Sequence, residues 1–464
     1  MATPLPKRSG TLRPVLWLAI PVLLEQVLAM LVGFSDRILT GHYLETSHLA
    51  AINLMAYVLW LMYEMFAVVA IGGTAMVARF YGAGNLENAQ RVTNQALLVG
   101  AVMSAAATLF WALGGAWAVR LLQLEGAAAD QSLQYIHYCL PVVPLMMIQA
   151  VGIACLRGAG DMTAGLVTMA IVNVVNIAVS WALVLGIGPL PALGWSGIAI
   201  GTASGFGIGG LIVLRPLVRG RSGLALRREF LWPDRDMIRR LLRIGLPGGA
   251  DTLSVITCQL WFVSIVNRLG DVATAAHGVA IGIESVAFLP GVAFQAAAAT
   301  LAGQYLGAGD HQKATRSVVV ACLVGGGLMA TAGSLFFTLS RQLPYLFLSA
   351  EHSDVAAMAA TLLRIVGLAV PALAITMILS GALRGAGDTR WPLLFSLVGM
   401  LGVRLPLAYW FALESFRLPF AGIVVIGWNL GVVGAWYAMG ADLAVRAALI
   451  LYRFSHGGWR WIQV

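Results

Sequence analysis

Charge is scarce in this sequence: only 11% of the 464 residues are Asp, Glu, Lys or Arg, against 59% hydrophobic. A water-soluble fold needs a charged surface, so the scarcity excludes a soluble globular chain. Cysteine is sparse too. Cys139, Cys155, Cys258 and Cys322 stand far apart with no CxxC spacing, which leaves them as small buried hydrophobes and gives no disulfide framework or thiolate metal site. The seven histidines form no HExxH-type pair. No nucleophile–base constellation falls in the apolar stretches, so an intramembrane enzyme has no support and no cofactor is expected.

What is abundant is apolar sequence and glycine. Mean hydropathy is +0.85 and there are 53 glycines, as expected where helices pack closely in lipid. Apolar runs long enough to cross a bilayer recur along the chain and predict twelve spans: about 14–40, 48–78, 92–120, 132–156, 162–186, 194–216, 238–268, 275–305, 315–338, 356–383, 391–413 and 422–452. The fold class expected is an all-α membrane protein. With twelve spans both termini share one side, which carries Lys7, Arg8, Arg13, Arg79, Arg91, Arg157, the arginines from Arg215 to Arg243, Lys313, Arg316, Arg384, Arg390, Arg446, Arg453 and Arg460. The opposite loops carry few, among them Arg120, Arg268, Arg341 and Arg417. The positive-inside rule puts both termini in the cytoplasm of a multi-pass protein. The net charge of +9 therefore reports topology, and nucleic-acid binding is not called for.

The chain is written twice. "LRGAGD" stands at 156–161 and again at 383–388, "YGAGN" at 81–85 is answered by "LGAGD" at 306–310, and Pro21 is answered by Pro247. These offsets of 227, 225 and 226 enclose six spans, so the halves enter the membrane in the same direction as parallel repeats flanking a central cleft. The expected division is a six-helix lobe over 1–214, a basic inter-lobe loop over 215–243, and a second lobe with its tail over 244–464. The GAG stretches read as tight turns between helices. Asp161 and Asp388 are plausible caps of the helices that follow, and Arg157 and Arg384 can meet the carbonyls of the helices before.

Paired lobes, duplicated GAG and LRGAGD turns, and the first-span sequence Asp36-Arg37-Ile38-Leu39-Thr40-Gly41-His42, with Pro21 fifteen residues before Asp36, together resemble the multidrug and toxic compound extrusion (MATE) family over essentially the whole chain. The resemblance implies a V-shaped transporter that exports bulky, often cationic, organic compounds in exchange for protons or sodium ions and works as a monomer in the bacterial cytoplasmic (inner) membrane. It also implies a cation site in the first lobe at Asp36, Asn176, Ser180 and Thr202, with Asn173 on the same helix face as Asn176, and a hinge at Pro21. The family often has Asp where this chain has Ser180. Losing that carboxylate favours H+ over Na+, although Asp36, Asn176 and Thr202 could hold Na+. The second-lobe mode, with Glu eight residues after the seventh-span proline, is absent here, because that residue is Val255.

A charged side chain at mid-membrane costs about 2.5–3.5 kcal/mol, which makes each one a functional suspect. Glu25 and Asp251 each sit four residues after a repeated proline and are expected either to face the cleft or to be satisfied locally. Glu64 and Glu284 are further cleft acids, Arg404 needs a partner the sequence does not name, and Asp442 and Arg446 form an i,i+4 pair. Tyr57, Trp60, Met62, Trp261 and Phe288 are candidates to line a substrate cavity for small-molecule drugs or toxins, with packing as the alternative. A lipid-linked saccharide flippase of related fold is the rival reading. It predicts a basic central cavity, whereas the in-span charges here are mainly acidic. A major-facilitator transporter also has two six-helix lobes, but its Gly…Asp-Arg motif belongs in another loop.

Overall fold

The computed structural model describes residues 10–121, 126–417 and 424–464; Lys7 and Arg8 lie outside them. The first lobe comprises α1 (Leu12–Tyr43), α2 (Thr46–Glu64), α3 (Ala67–Gly82), α4 (Leu86–Leu121), α5 (Ala127–Cys139), α6 (Val143–Gly158), α7 (Thr163–Leu185) and α8 (Trp195–Val218). The second comprises α9 (Arg235–Asn267), α10 (Asp271–Gly307), α11 (His311–Thr338), α12 (Ser353–Gly385), α13 (Arg390–Leu397), α14 (Leu405–Ala412) and α15 (Gly431–His456). Helices α5 and α6 form one apolar span through the turn at Pro141, and α13 and α14 are joined by a π-helical stretch, Val398–Arg404. Among the described residues 11 helices are long and apolar enough to cross a membrane, and 12 when the pair α2 and α3, bent by 44°, counts as one. The two lobes meet like the arms of a V.

The last span begins later than the hydropathy predicts. Where it was expected from about 422, the described residues form a short antiparallel hairpin, β1 (Ser415–Arg417) with β2 (Val424–Ile426). Val424, Val425 and Ile426 are β-branched and suit a strand, and left-handed backbone at Asn429 (φ 53) and Gly431 (φ 60) keeps the helix from starting earlier.

Each G-A-G turn uses its two glycines differently. The second, at Gly84, Gly160, Gly309 and Gly387, has φ between 75° and 89° and reverses the chain after a helix. The following N–H then bonds back five residues, as from Asn85 to Phe80 and from Asp388 to Leu383. At two of the four turns the first glycine permits contact between lobes: a Cβ at Gly82 would lie 1.9 Å from the Gln304 carbonyl oxygen, and one at Gly307 would lie 2.0 Å from that of Arg79, whereas Gly158 and Gly385 lie against Thr74 and Ala299 of their own lobes. At 81–85 and 306–310 the motif is thus a turn and a seam at once.

The seam lies at the basic end. Thr300 Oγ1 donates to the Arg157 carbonyl (3.0 Å), Gln304 Nε2 to the Gly158 carbonyl (2.8 Å), and Arg79 to the Ile462 carbonyl. Each lobe also lends its first helix to the other. Val15, Leu18 and Val22 of α1 pack among residues of α10 and α12, while Met237, Leu241 and Ile244 of α9 join the first lobe's core. Pro21 and Pro247 stand in these crossing segments. The linker between α8 and α9 is shorter than the expected 215–243, because both helices run into it. Three amides of α4 hold it: Gln90 donates to the Gly223 carbonyl, Asn94 to that of Ala225, and Gln95 to those of Phe230 and Trp232.

Candidate functional site

Asp36 is carried by α1 into the first lobe, where it is buried against α7 and α8. Thr202 Oγ1 donates to Asp36 Oδ2 (3.2 Å) and accepts from the Tyr135 hydroxyl (2.8 Å) and from Asn176 Nδ2 (3.2 Å). Asn173, Asn176 and Ser180 are buried on one face of α7. A Cβ at Gly201 of α8 would fall 2.0 Å from Ser180 Oγ, so only glycine lets the two helices close around this group. Four buried oxygens here have no hydrogen-bond partner among the described residues: Asp36 Oδ1, Asn173 Oδ1, Asn176 Oδ1 and Ser180 Oγ. Buried acceptors without donors are costly and mark a place for a cation or a proton. Arg37 is exposed on α1 and makes no ion pair among the described residues. The donor set fits a cation: one carboxylate with neutral amide and hydroxyl oxygens around it.

The structure thus brings together Asp36, Asn173, Asn176, Ser180 and Thr202, and adds Tyr135, which sequence reasoning missed. Tyr135 lies on α5, with its ring against Trp195, and nothing in its local sequence distinguishes it from a packing aromatic.

Glu25 and Asp251 turn out to be bound by the arginines of the repeated LRGAGD turns. Arg157 meets Glu25 at 2.6 Å, and Arg384 meets Asp251. The expectation that these arginines meet helix-end carbonyls is corrected, because each is the counter-ion of an acid on its lobe's first helix. Glu25 is therefore locally satisfied, pressed against α7 at Gly165, where a Cβ would lie 2.4 Å from its Oε2. Asp161 accepts from Thr163, the Ala164 N–H, Ser222 and Arg221, so it both caps α7 and holds the linker. Asp388 instead takes Arg453.

A half-open cavity of about 580 Å³ is lined mainly by second-lobe residues, with Trp60 of α2 contributed by the first lobe. Glu284 and Asp251 line it, both buried, with Glu284 Oε2 and Asp251 Oδ1 unpartnered. Arg384, Arg404 and Arg446 line it as well; Asp442 takes Arg404 (2.8 Å) and Arg446 (2.7 Å), and Arg404 Nη1 also donates to Gln259. Asp442 is thus the partner of Arg404 that the sequence could not name. Trp60 and Phe288 line the cavity. Trp261 is half-exposed and donates to the Tyr409 hydroxyl, and Tyr57 is exposed; neither lines a described cavity. Met62 is a correction: it is fully buried in the first lobe's core, where its side chain fills space among helices. Glu64 ends α2 at the bend, half-buried within reach of the Arg384 charge.

The sequence profile of the MatE family matches residues 21–182 and 248–410, one stretch in each lobe. The chain is 27% identical to a probable multidrug resistance protein NorM of Thermotoga maritima, over 95% of this chain and 92% of that one. It is 25% identical to a probable multidrug resistance protein YoeA of Bacillus subtilis, over 96% and 93%. An outward-facing multidrug resistance MATE family transporter of the MOP superfamily shares the fold, with a TM-score of 0.86 over 97% of each chain at 19% identity.

Proposed function

Since the chain belongs to the MatE family of multi-pass membrane transporters, we propose that it is a secondary active multidrug efflux antiporter, exporting bulky organic cations in exchange for H+ in preference to Na+. The observation that carries this reading is Asp36, buried with one oxygen unpartnered beside the empty-handed oxygens of Asn173, Asn176 and Ser180. A coordinating cation arriving there can take several of these oxygens as ligands, whereas a proton on Asp36 supplies one O–H to one neighbour, and departure of either restores the cost of burial. The site holds a single carboxylate, Ser180 adding none, which favours a proton. Asp36 lies on α1, whose other half packs on the second lobe, so occupancy of the site can act on the seam through one helix.

Substrate belongs in this cavity, where Trp60 and Phe288 offer aromatic faces and Glu284, which is in no ion pair among the described residues, offers an unpaired oxygen to a positive centre. The flippase alternative would need free guanidinium groups for pyrophosphate. Arg404 and Arg446 are tied to Asp442 and Arg384 to Asp251, which favours cationic cargo. The positive-inside rule assigns the basic end and both termini to the cytoplasm of a bacterial inner membrane, so the closed seam corresponds to an outward-open state. A monomer suffices for this scheme.

The test is efflux from proteoliposomes with proton and sodium gradients imposed separately. Wild-type efflux is expected to follow the proton gradient, and Asp36→Asn to lose at least about tenfold of the gradient-driven rate, as a group acting in the coupled step should. Unchanged efflux in that variant would remove Asp36 from the mechanism.

A further inference from the structure

Helix α9 is 33 residues long, about 50 Å at 1.5 Å per residue, and so exceeds the roughly 30 Å hydrocarbon layer. Its first turns therefore stand in the interface. There Arg235, Arg239 and Arg243 recur at i, i+4 and i+8, a single row about 12 Å long. All three are exposed, and none is in an ion pair among the described residues. Asp234 is occupied with capping the helix, accepting from the Asp236 and Met237 N–H groups. The arginines border a groove of about 710 Å³ whose remaining lining is Ile238, Leu242 and Leu246. No carboxylate lines it. Arginine forks above an apolar floor that runs on into the span match a phosphate headgroup above an acyl chain.

We propose that this groove binds an anionic phospholipid of the leaflet at the basic end, with Arg235, Arg239 and Arg243 on its headgroup phosphate. Charge complementarity selects the occupant: a zwitterionic lipid brings its own ammonium to the same place, and an anionic one does not. The binding also bears on the seam. One to three turns further along, α9 lies on α3 of the other lobe, with Gly72 against the Leu241 carbonyl and Gly245 against that of Val68. A lipid that anchors the start of α9 holds one side of that contact. The inference does not depend on what the protein transports.

The experiment is a melting curve of the purified full chain in neutral detergent, titrated with dioleoylphosphatidylglycerol, dioleoylphosphatidylcholine or inorganic phosphate. The glycerol lipid alone should raise the melting temperature. The triple variant Arg235→Gln, Arg239→Gln, Arg243→Gln should lose about two orders of magnitude in apparent affinity for it, at about one kcal/mol per arginine. The corresponding triple Lys variant should keep most of the response, which guards against a fold defect, and Arg219→Gln with Arg228→Gln should behave as wild type. An equal shift with phosphatidylcholine, a shift with inorganic phosphate alone, or an undiminished response in the triple Gln variant would each overturn the assignment.

Discussion

Asp442 is fully buried yet carries two arginines, and its value to the protein lies in what it prevents. Without it, Arg404 and Arg446 lose their hydrogen-bonded counter-ion, Arg404 keeping Gln259, the face of the Phe262 ring at 5.7 Å and the charge of Glu284 within reach. Breaking a buried pair by removing one partner costs about 3–5 kcal/mol, far more than forming the pair contributes. Asp442→Ala is therefore expected to destabilise by that amount, read as a fall in melting temperature in detergent. Replacing all three charges, as Asp442→Leu with Arg404→Met and Arg446→Met, should recover most of the loss, because no arginine is then stranded. Asp442→Ala melting like wild type would show that water reaches these arginines and that the cluster is not dry. The geometry also explains why sequence pattern stopped short here. The i,i+4 link from Asp442 to Arg446 is readable from spacing, whereas the link to Arg404 spans 38 residues and depends on a π-helical stretch that turns the arginine inward.

Asp161 and Asp388 hold the same place in the two repeats but have opposite electrostatic surroundings. Burial alone would raise Asp161, but bonds from Thr163 and Ser222 and the Arg221 guanidinium outweigh it and hold the carboxyl below the ordinary carboxylate range. For Asp388 burial wins, and the carboxyl is raised despite Arg453. The signs follow by linkage. A depressed folded pKa gives stability that is present above the unfolded value, about 3.9, and lost as pH falls through the folded one. A raised folded pKa gives a penalty that appears as pH rises through the unfolded value and is complete above the folded one. On acidification from about pH 7 to about pH 4, the folded state should thus be relieved at Asp388 first, and Asp161 should give way only at lower pH. Melting curves of Asp161→Asn and Asp388→Asn against wild type over that range test this. The deficit of Asp161→Asn should shrink only at the acid end, and Asp388→Asn should cost less than Asp161→Asn at neutral pH. Equal deficits at every pH would contradict it.

The elements themselves were largely legible in the sequence. Apolar runs marked the spans, and the duplicated turns gave the two lobes before any coordinates. The bend between α2 and α3 was not legible, since Met65 and Phe66 carry no breaker; the matching residue of the other repeat is Pro290, inside the continuous helix α10. Of the first-lobe site, the resemblance supplied the α1, α7 and α8 residues. Tyr135 and the partners of Arg157 and Arg384 come from packing between segments distant in sequence, which hydropathy and spacing do not encode.

At the scale of the whole molecule, the inter-lobe side-chain bonds among the described residues sit at one end, so exchange between outward-open and inward-open states is a matter of how strongly that end is held. Behind the bonds lies a half-open space of about 210 Å³ lined in matched pairs by the repeats: Thr74 with Thr300, Ala154 with Gly381, and Arg157 with Arg384. Opening at the basic end must break the bonds from Thr300 and Gln304 and make this space reachable from the basic side. Each such bond contributes about 0.5–1.5 kcal/mol, so removing both with Thr300→Val and Gln304→Leu should shift the equilibrium toward inward-open by roughly 5–150-fold. The shift can be read directly. Ala299 lines this space, and Ala299→Cys, in a background with Cys139, Cys155, Cys258 and Cys322 changed to Ala, reports its exposure to a membrane-impermeant thiol reagent applied from the basic side. Labelling should be slow in that background and faster by the same factor once the two bonds are gone, with gradient-driven efflux reduced because the resting state has moved. Labelling unchanged by the double substitution would mean that glycine-mediated backbone contact at Gly82 and Gly307 holds the seam without help from these side chains.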